Sequence, residues 1–154
     1  MLASMMLATS AAWLEVSMAR NRFDDNLREH LRASQAADSA LALCVRDWRA
    51  GIAPAHPAWH TAPAQRTAFD GLAAYEPVPS WPGSARPPHC VIEAVGPDSL
   101  EGPESDEQAR AYRITARGFG ALESTQAWLE LTIARESGRE RQAWRRILSA
   151  PTTN

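Results

Sequence analysis

The first fourteen residues, MLASMMLATSAAWL, are apolar or small all round, and the first charge in the chain is Glu15. As a helix this stretch spans about 21 Å, short of the roughly 30 Å hydrocarbon core of a bilayer. No basic region precedes it and no break follows it, so it does not read as a cleavable secretory signal. It reads instead as the second half of a membrane-embedded helix whose start lies upstream; the alternative is a greasy first helix of a soluble protein. From Val16 to Ala50 there is neither proline nor glycine, so one helix is expected to run on to about Ala50. Leu27, Leu31, Ser34, Asp38, Leu41, Val45 and Trp48 recur at steps of four and three, the stripe of one helical face. Ala33, Ala37, Ala40 and Cys44 lie beside that stripe, small enough to let another layer approach. Arg22, Arg28, Arg32, Arg46 and Arg49 alternate with Asp24, Asp25, Glu29 and Asp47 on the solvated remainder. Gly51 offers a C-cap, with Pro54 just beyond. A helix of about 45 residues is near 70 Å long. That exceeds what the globule needs, so its N-terminal half must project.

The pattern then changes twice. Pro54, Pro57, Pro63, Pro77, Pro79, Pro82, Pro87 and Pro88 make residues 51–88 an irregular wrap, with Trp59 and Trp81 as anchors. HCVIEAV at 89–95 is β-branched and bounded by Pro88 and Gly96, a strand. Residues 97–108 carry Asp98, Glu101, Glu104, Asp106 and Glu107 without a basic residue, an acidic turn. RAYRITARG at 110–118 sets Tyr112, Ile114 and Ala116 against Arg113, Thr115 and Arg117, a strand expected to bury one face. TQAWLELTIAR at 125–135 alternates too; RESGRER is expected to turn, and QAWRRIL at 142–148 to return as a fourth strand. One long helix followed by four consecutive strands predicts an α+β fold, an antiparallel meander packed on the helix.

Composition narrows the chemistry. The 154 residues suit one ordinary domain, and a hydrophobic share of 45% with 22% charged residues is a globular balance. A net charge of −2 argues against binding nucleic acid by phosphate neutralisation. All 16 basic residues are arginines, which removes a P-loop lysine and Schiff-base chemistry. His56 and His60 are four apart, but Pro54 and Pro57 break the helix that would bring them together, so no metal site is expected. No nucleophile elbow is present, and GFG at 118–120 is a lone glycine pair, so neither catalytic nor cofactor-binding residues are assigned. Trp48, Trp59, Trp81 and Trp128 are expected in the core rather than stacked on a ligand. Cys44 and Cys90 are too few for a zinc ribbon, and their number alone leaves free thiols and a disulfide both open.

The helix middle carries Asn26-Leu27-Arg28, then Ala33, then Gln35-Ala36-Ala37-Asp38-Ser39-Ala40-Leu41. With PPHCVIEAVG, YRITARGFG and the terminal AWRRIL, in this order, the chain resembles the PilX family of type IV pilus minor pilins. Asp38 stands where that family usually has Glu, a shortening that keeps the charge. The resemblance implies a pilin-like fold and a non-enzymatic role in pilus assembly and initiation, in a tip complex linked to adhesion. It implies other minor pilins, the major pilin and a tip adhesin as partners, and no cofactor. Residues 1–19 would be the C-terminal part of an apolar membrane and fibre-core helix, and residues 20–154 the globular domain. The protein would sit in the inner membrane through its N-terminal helix, then in the fibre at the cell surface, with its globular domain periplasmic or extracellular. A type II secretion pseudopilin and a soluble α+β binding domain unrelated to pili are the alternatives.

Two site expectations follow. Asp38, Leu41, Val45 and Trp48 are expected to serve helix–sheet or subunit packing, Asp38 as an edge position reaching water or as a charge partner. Cys44 is expected to face the sheet, one turn from Ala40 and Trp48, and alternation sets Cys90 on one face with Ile92 and Ala94. If that face meets the helix, both sulfurs point into one layer. The resemblance adds an oxidising compartment, in which the two would form a disulfide.

Overall fold

In the computed structural model the described residues are 2–57, 69–71, 74–95, 110–136 and 139–147, with the side chains of the helix described from Trp13 onward. The helix, α1, runs from Leu2 to Arg49, 48 residues and about 72 Å. Its end is set by Gly51, whose φ of 74° is open to glycine without a Cβ penalty. The Gly51 amide donates to the Trp48 carbonyl and the Ile52 amide to the Asp47 carbonyl, a Schellman cap that satisfies the last turn.

Among the described residues the sheet has five strands in the order β1-β2-β3-β4-β5. The four long ones, β2 (His89–Val95), β3 (Arg110–Phe119), β4 (Gln126–Glu136) and β5 (Arg139–Ile147), form the expected antiparallel meander. The fold is therefore α+β, with α1 packed on the sheet. Two strand boundaries depart from expectation. The RESGRER segment is not one wide turn, because β4 extends to Glu136 and β5 begins at Arg139, with Arg135 and Glu140 paired across the ladder. An unexpected strand, β1 (His56–Pro57), lies parallel to the outer edge of β2, with His56 opposite Glu93. Tyr75 also occupies that edge: its amide donates to the Cys90 carbonyl, and its carbonyl accepts from the Cys90 amide. A two-residue strand with one proline carries no periodicity to read.

The helix face that packs is also different. Its centre is Ala33, Ala36, Ala37, Ala40, Leu41 and Cys44, all buried, whereas Leu27 and Leu31 are about half exposed. The small residues expected beside the stripe are its middle, and the large ones flank it. The cause is Gly118 in β3. A Cβ built there would lie well inside 3.0 Å of the Ala33 carbonyl oxygen and the Ala37 nitrogen, so the helix backbone rests on bare glycine. Only alanines on the helix side permit that approach. Two residues on, a Cβ at Gly120 would crowd Glu29, whose carboxylate accepts from the Ala121 amide at 2.6 Å. N-terminal to Glu29 the helix leaves the sheet.

β3 buries both of its faces, not one. Ile114 and Ala116 face α1 in the main core, while Thr115 and Arg117 are buried on the opposite side. There Phe69 packs with Val91 and Trp128 in a second cluster supplied by the proline-rich wrap. Near the β3 terminus the Ala85 amide donates to the Gly120 carbonyl at 2.7 Å, and the Ser84 hydroxyl to the Phe119 carbonyl at 2.6 Å. A segment without periodicity thus serves as the sheet's second cover.

Gly118→Ala is expected to be the costliest single methyl group in the protein. Overpacking usually costs about 1–3 kcal/mol, and here the obstacle is backbone that cannot rotate away. Urea denaturation should show a loss of roughly 3 kcal/mol or more. Gly51→Ala, which meets open space and strains only its own φ, should lose about 1 kcal/mol.

Candidate functional site

The site begins at the seam where helix and sheet are tied covalently. Helix register places Cys44 one turn after Ala40, and strand alternation places Cys90 beside Ile92 on the face toward α1. The two form a disulfide, with Cα atoms 6.6 Å apart across 46 residues of sequence. The bridge sits next to the edge pairing of Tyr75, so the wrap is held at the strand that the helix is stapled to. Tyr75 also reaches the helix: its hydroxyl donates to Asp47 Oδ2 at 2.9 Å, while Arg46 Nε donates to Oδ1 at 2.7 Å. These bonds, Arg46 first and Tyr75 second, hold the Asp47 carboxyl below the usual range. The same bond from the other side raises the Tyr75 hydroxyl.

Leu41 lies in the main core, with Val45 and Trp48 packed against it. The Trp48 ring is tilted over Tyr112 of β3, with ring centroids 4.5 Å apart, and Arg135 covers it from β4. Asp38 is exposed and makes no ion pair among the described residues. It stands on the rim of a trough of about 380 Å³ beside the helix, whose walls include Leu41, Val45 and Trp144. Trp144 of β5 is 74% exposed, a residue that periodicity places on the strand without telling how far the helix reaches over it. Trp128 is buried, Trp81 is half-buried and Trp59 lies outside the described residues. His56 sits in β1, and His60 lies outside the described residues.

Two features went unread in the sequence. One is Gly118 with Gly120, a pair too short to match any binding motif; glycine inside the end of a strand, as at Gly118, is a signal of close backbone approach. The other is an arginine inside the second cluster. Arg117 Nε donates to His89 Nε2 at 3.0 Å, and its Nη2 to Asp70 Oδ1 at 3.0 Å. The guanidinium lies 5.0–5.7 Å from the ring centroids of Phe119, Trp128 and Phe69. Because arginine only donates, His89 Nε2 must accept, which leaves the ring proton on Nδ1 toward the Pro87 carbonyl at 3.4 Å. Burial first, and Arg117 second, push the imidazole down to about 4. This cluster pins the wrap to the sheet.

The remaining feature is the arm. From Trp13 to Arg28 every residue of α1 is exposed, including Trp13, Leu14, Val16, Met18, Phe23 and Leu27. Among the described residues no helix is long and apolar enough to cross a membrane. The described residues present a head stapled by a disulfide and a helical rod exposed all round. The profile of the family described as type IV pilus assembly protein PilX C-term matches residues 15–135, which takes in the rod, the seam, the wrap and β2 to most of β4. No curated protein and no solved structure matches the chain.

Two measurements test the tie and the pin. Replacing both cysteines by alanine should lower stability by about 4 kcal/mol, the chain-entropy value for a loop of this length, read as a shift in urea midpoint. For His89, the unfolded chain takes up a proton near pH 6.5, whereas the folded protein does so only near pH 4. The stability gained by keeping the ring neutral is thus complete above about 6.5 and is lost as pH falls toward 4, on the order of 3 kcal/mol over the window. His89→Gln should flatten the fall in melting temperature between those pH values relative to the parent protein.

Proposed function

Because the chain belongs to the PilX family of type IV pilus assembly proteins, we propose that it acts as a minor pilin that helps initiate the fibre. The observation that carries this reading is the arm: a helix that leaves the sheet at Glu29 with its apolar side chains bare, on a head closed by a disulfide. Such a rod can exchange lipid or solvent contacts for helix–helix contacts with other subunits. Residues 1–19 then belong to the membrane and fibre core, and residues 20–154 to the globular head. The head works outside the cytoplasm, where the Cys44–Cys90 bridge persists. Asp38, Leu41, Val45 and Trp48 join the rod to the head, and Asp38 faces the next subunit. Other minor pilins, the major pilin and a tip adhesin are the partners of this reading, and the role is structural rather than enzymatic.

The test is fractionation and assembly in the parent organism. The protein should be recovered with the inner membrane and in sheared pili, and its deletion should reduce surface pili. Phe23→Ser forfeits about 2 kcal/mol of burial if that ring is covered in the fibre, roughly tenfold or more in association. It should lower incorporation into sheared pili while leaving the melting temperature of the head unchanged. Recovery only in the soluble fraction, or incorporation insensitive to Phe23→Ser, contradicts the proposal. Loss of type II secretion with normal piliation would assign the chain to that machine instead.

A further inference from the structure

The two edges of the sheet are treated differently. On one side, β1 and Tyr75 occupy the outer edge of β2. On the other, β5 is the outermost strand among the described residues, nine residues long, with Arg139–Arg146 exposed. No described residue pairs with its outer side, and an edge of this length presents a row of amide and carbonyl groups, alternate residues of the strand pointing outward. Among the described residues the helix side of β5 is uncovered as well, because α1 lies over β3 and β4 and the trough separates it from Trp144. Trp144 stands opposite Leu131 in the ladder, so the trough has an apolar floor and one bare aromatic wall.

Charge decides what can pair there. β5 carries Arg139, Arg141, Arg145 and Arg146 against Glu140 alone. Glu140 is already engaged by Arg49 at 2.5 Å and Arg135 at 3.3 Å. Arg145 is held by Glu130 of β4 at 2.9 Å, whereas Arg139, Arg141 and Arg146 have no ion pair among the described residues. Two copies joined edge to edge through β5 would set these arginines against each other, which disfavours self-pairing. Arginines on an edge commonly serve only to block aggregation, but that role does not call for a bare tryptophan beside an apolar trough.

We propose that β5 is a docking edge for one extended segment of a partner protein, acidic and apolar in alternation, which adds a sixth strand. Its backbone pairs with the outward groups of β5. Its carboxylates meet Arg139 and Arg141, which alternation sets on the face away from α1, and one large apolar side chain enters the trough against Trp144 and Leu41. The geometry stands on its own and holds whether or not the chain is built into a pilus.

The probe is a synthetic peptide of about nine residues, the length of β5, alternating Asp or Glu with Val or Leu. Three controls go with it: a proline-interrupted version, a version with lysine for each acid, and the peptide-free protein. The acidic peptide should bind the full chain, protect alternate β5 amides from hydrogen exchange, and weaken as salt rises. Arg139→Glu with Arg141→Glu, both at exposed positions, should weaken it about tenfold or more and let the lysine peptide bind better than the acidic one. The single variants serve if the double variant does not fold. Absence of binding by the acidic peptide, or equal binding of the proline-interrupted one, overturns the proposal. So does exchange protection confined to α1, which would mean a ligand in the trough without strand pairing. A dimer of the free protein that Trp144→Ala dissolves would show that a second copy occupies the edge and would equally overturn it.

Discussion

The contact between the backbone of α1 and Gly118 is the constraint from which the rest of the structure follows. A helix that rests on a glycine sits closer to the sheet than side chains of ordinary size allow, so the row meeting the strand must be alanine: Ala33, Ala36, Ala37 and Ala40. Such a seam buries little area per residue, and burial is what usually fastens a helix to a sheet. The Cys44–Cys90 bridge, the Asp47–Tyr75 bond and the Glu29–Ala121 bond supply fastening at several points along it. The seam is narrow and tied rather than broad and greasy.

That narrowness shapes both exposed surfaces. With small residues at the centre of the contact, Leu27 and Leu31 cannot reach a strand, and α1 passes beyond Glu29 as a bare rod. With the helix seated over β3 and β4, no described residue covers β5, and the trough beside Trp144 opens between them. The rod and the open edge are consequences of one packing choice. They lie on different elements, so one can engage neighbouring helices while the other engages a strand.

The second layer solves a different problem. A sheet covered on one face by a single helix would leave the other face wet, and β3 carries Thr115 and Arg117 there. The proline-rich wrap closes it with few ladder bonds, because prolines lower the entropy lost when such a segment is ordered. What holds it is chemistry at points: Phe69 against Trp128, and Arg117 bonded to His89 and Asp70 within a ring of aromatics. Keeping His89 neutral gives the buried guanidinium an acceptor beside the exposed Asp70 without burying a carboxylate next to it.

The local physics of the chain was legible in its sequence. An uninterrupted run to Ala50, a glycine at the cap and alternation in HCVIEAV, RAYRITARG and TQAWLELTIAR defined one long helix and a meander, since periodicity and caps are properties of neighbouring residues. The order of the motifs was enough to suggest the family. Which helical row would be the middle of the seam was not legible, because hydrophobic periodicity weighs large side chains and gives no credit to alanine opposite glycine. Nor were the burial of Arg117, the two-residue strand at His56 or the exposure of Trp144. Each depends on what a distant segment places over it: the wrap on one face, the reach of the helix on the other. Residues close in sequence determined the elements; the distance of closest approach between layers, a property of Gly118 and Ala37 together, decided which of their faces are covered and which remain open.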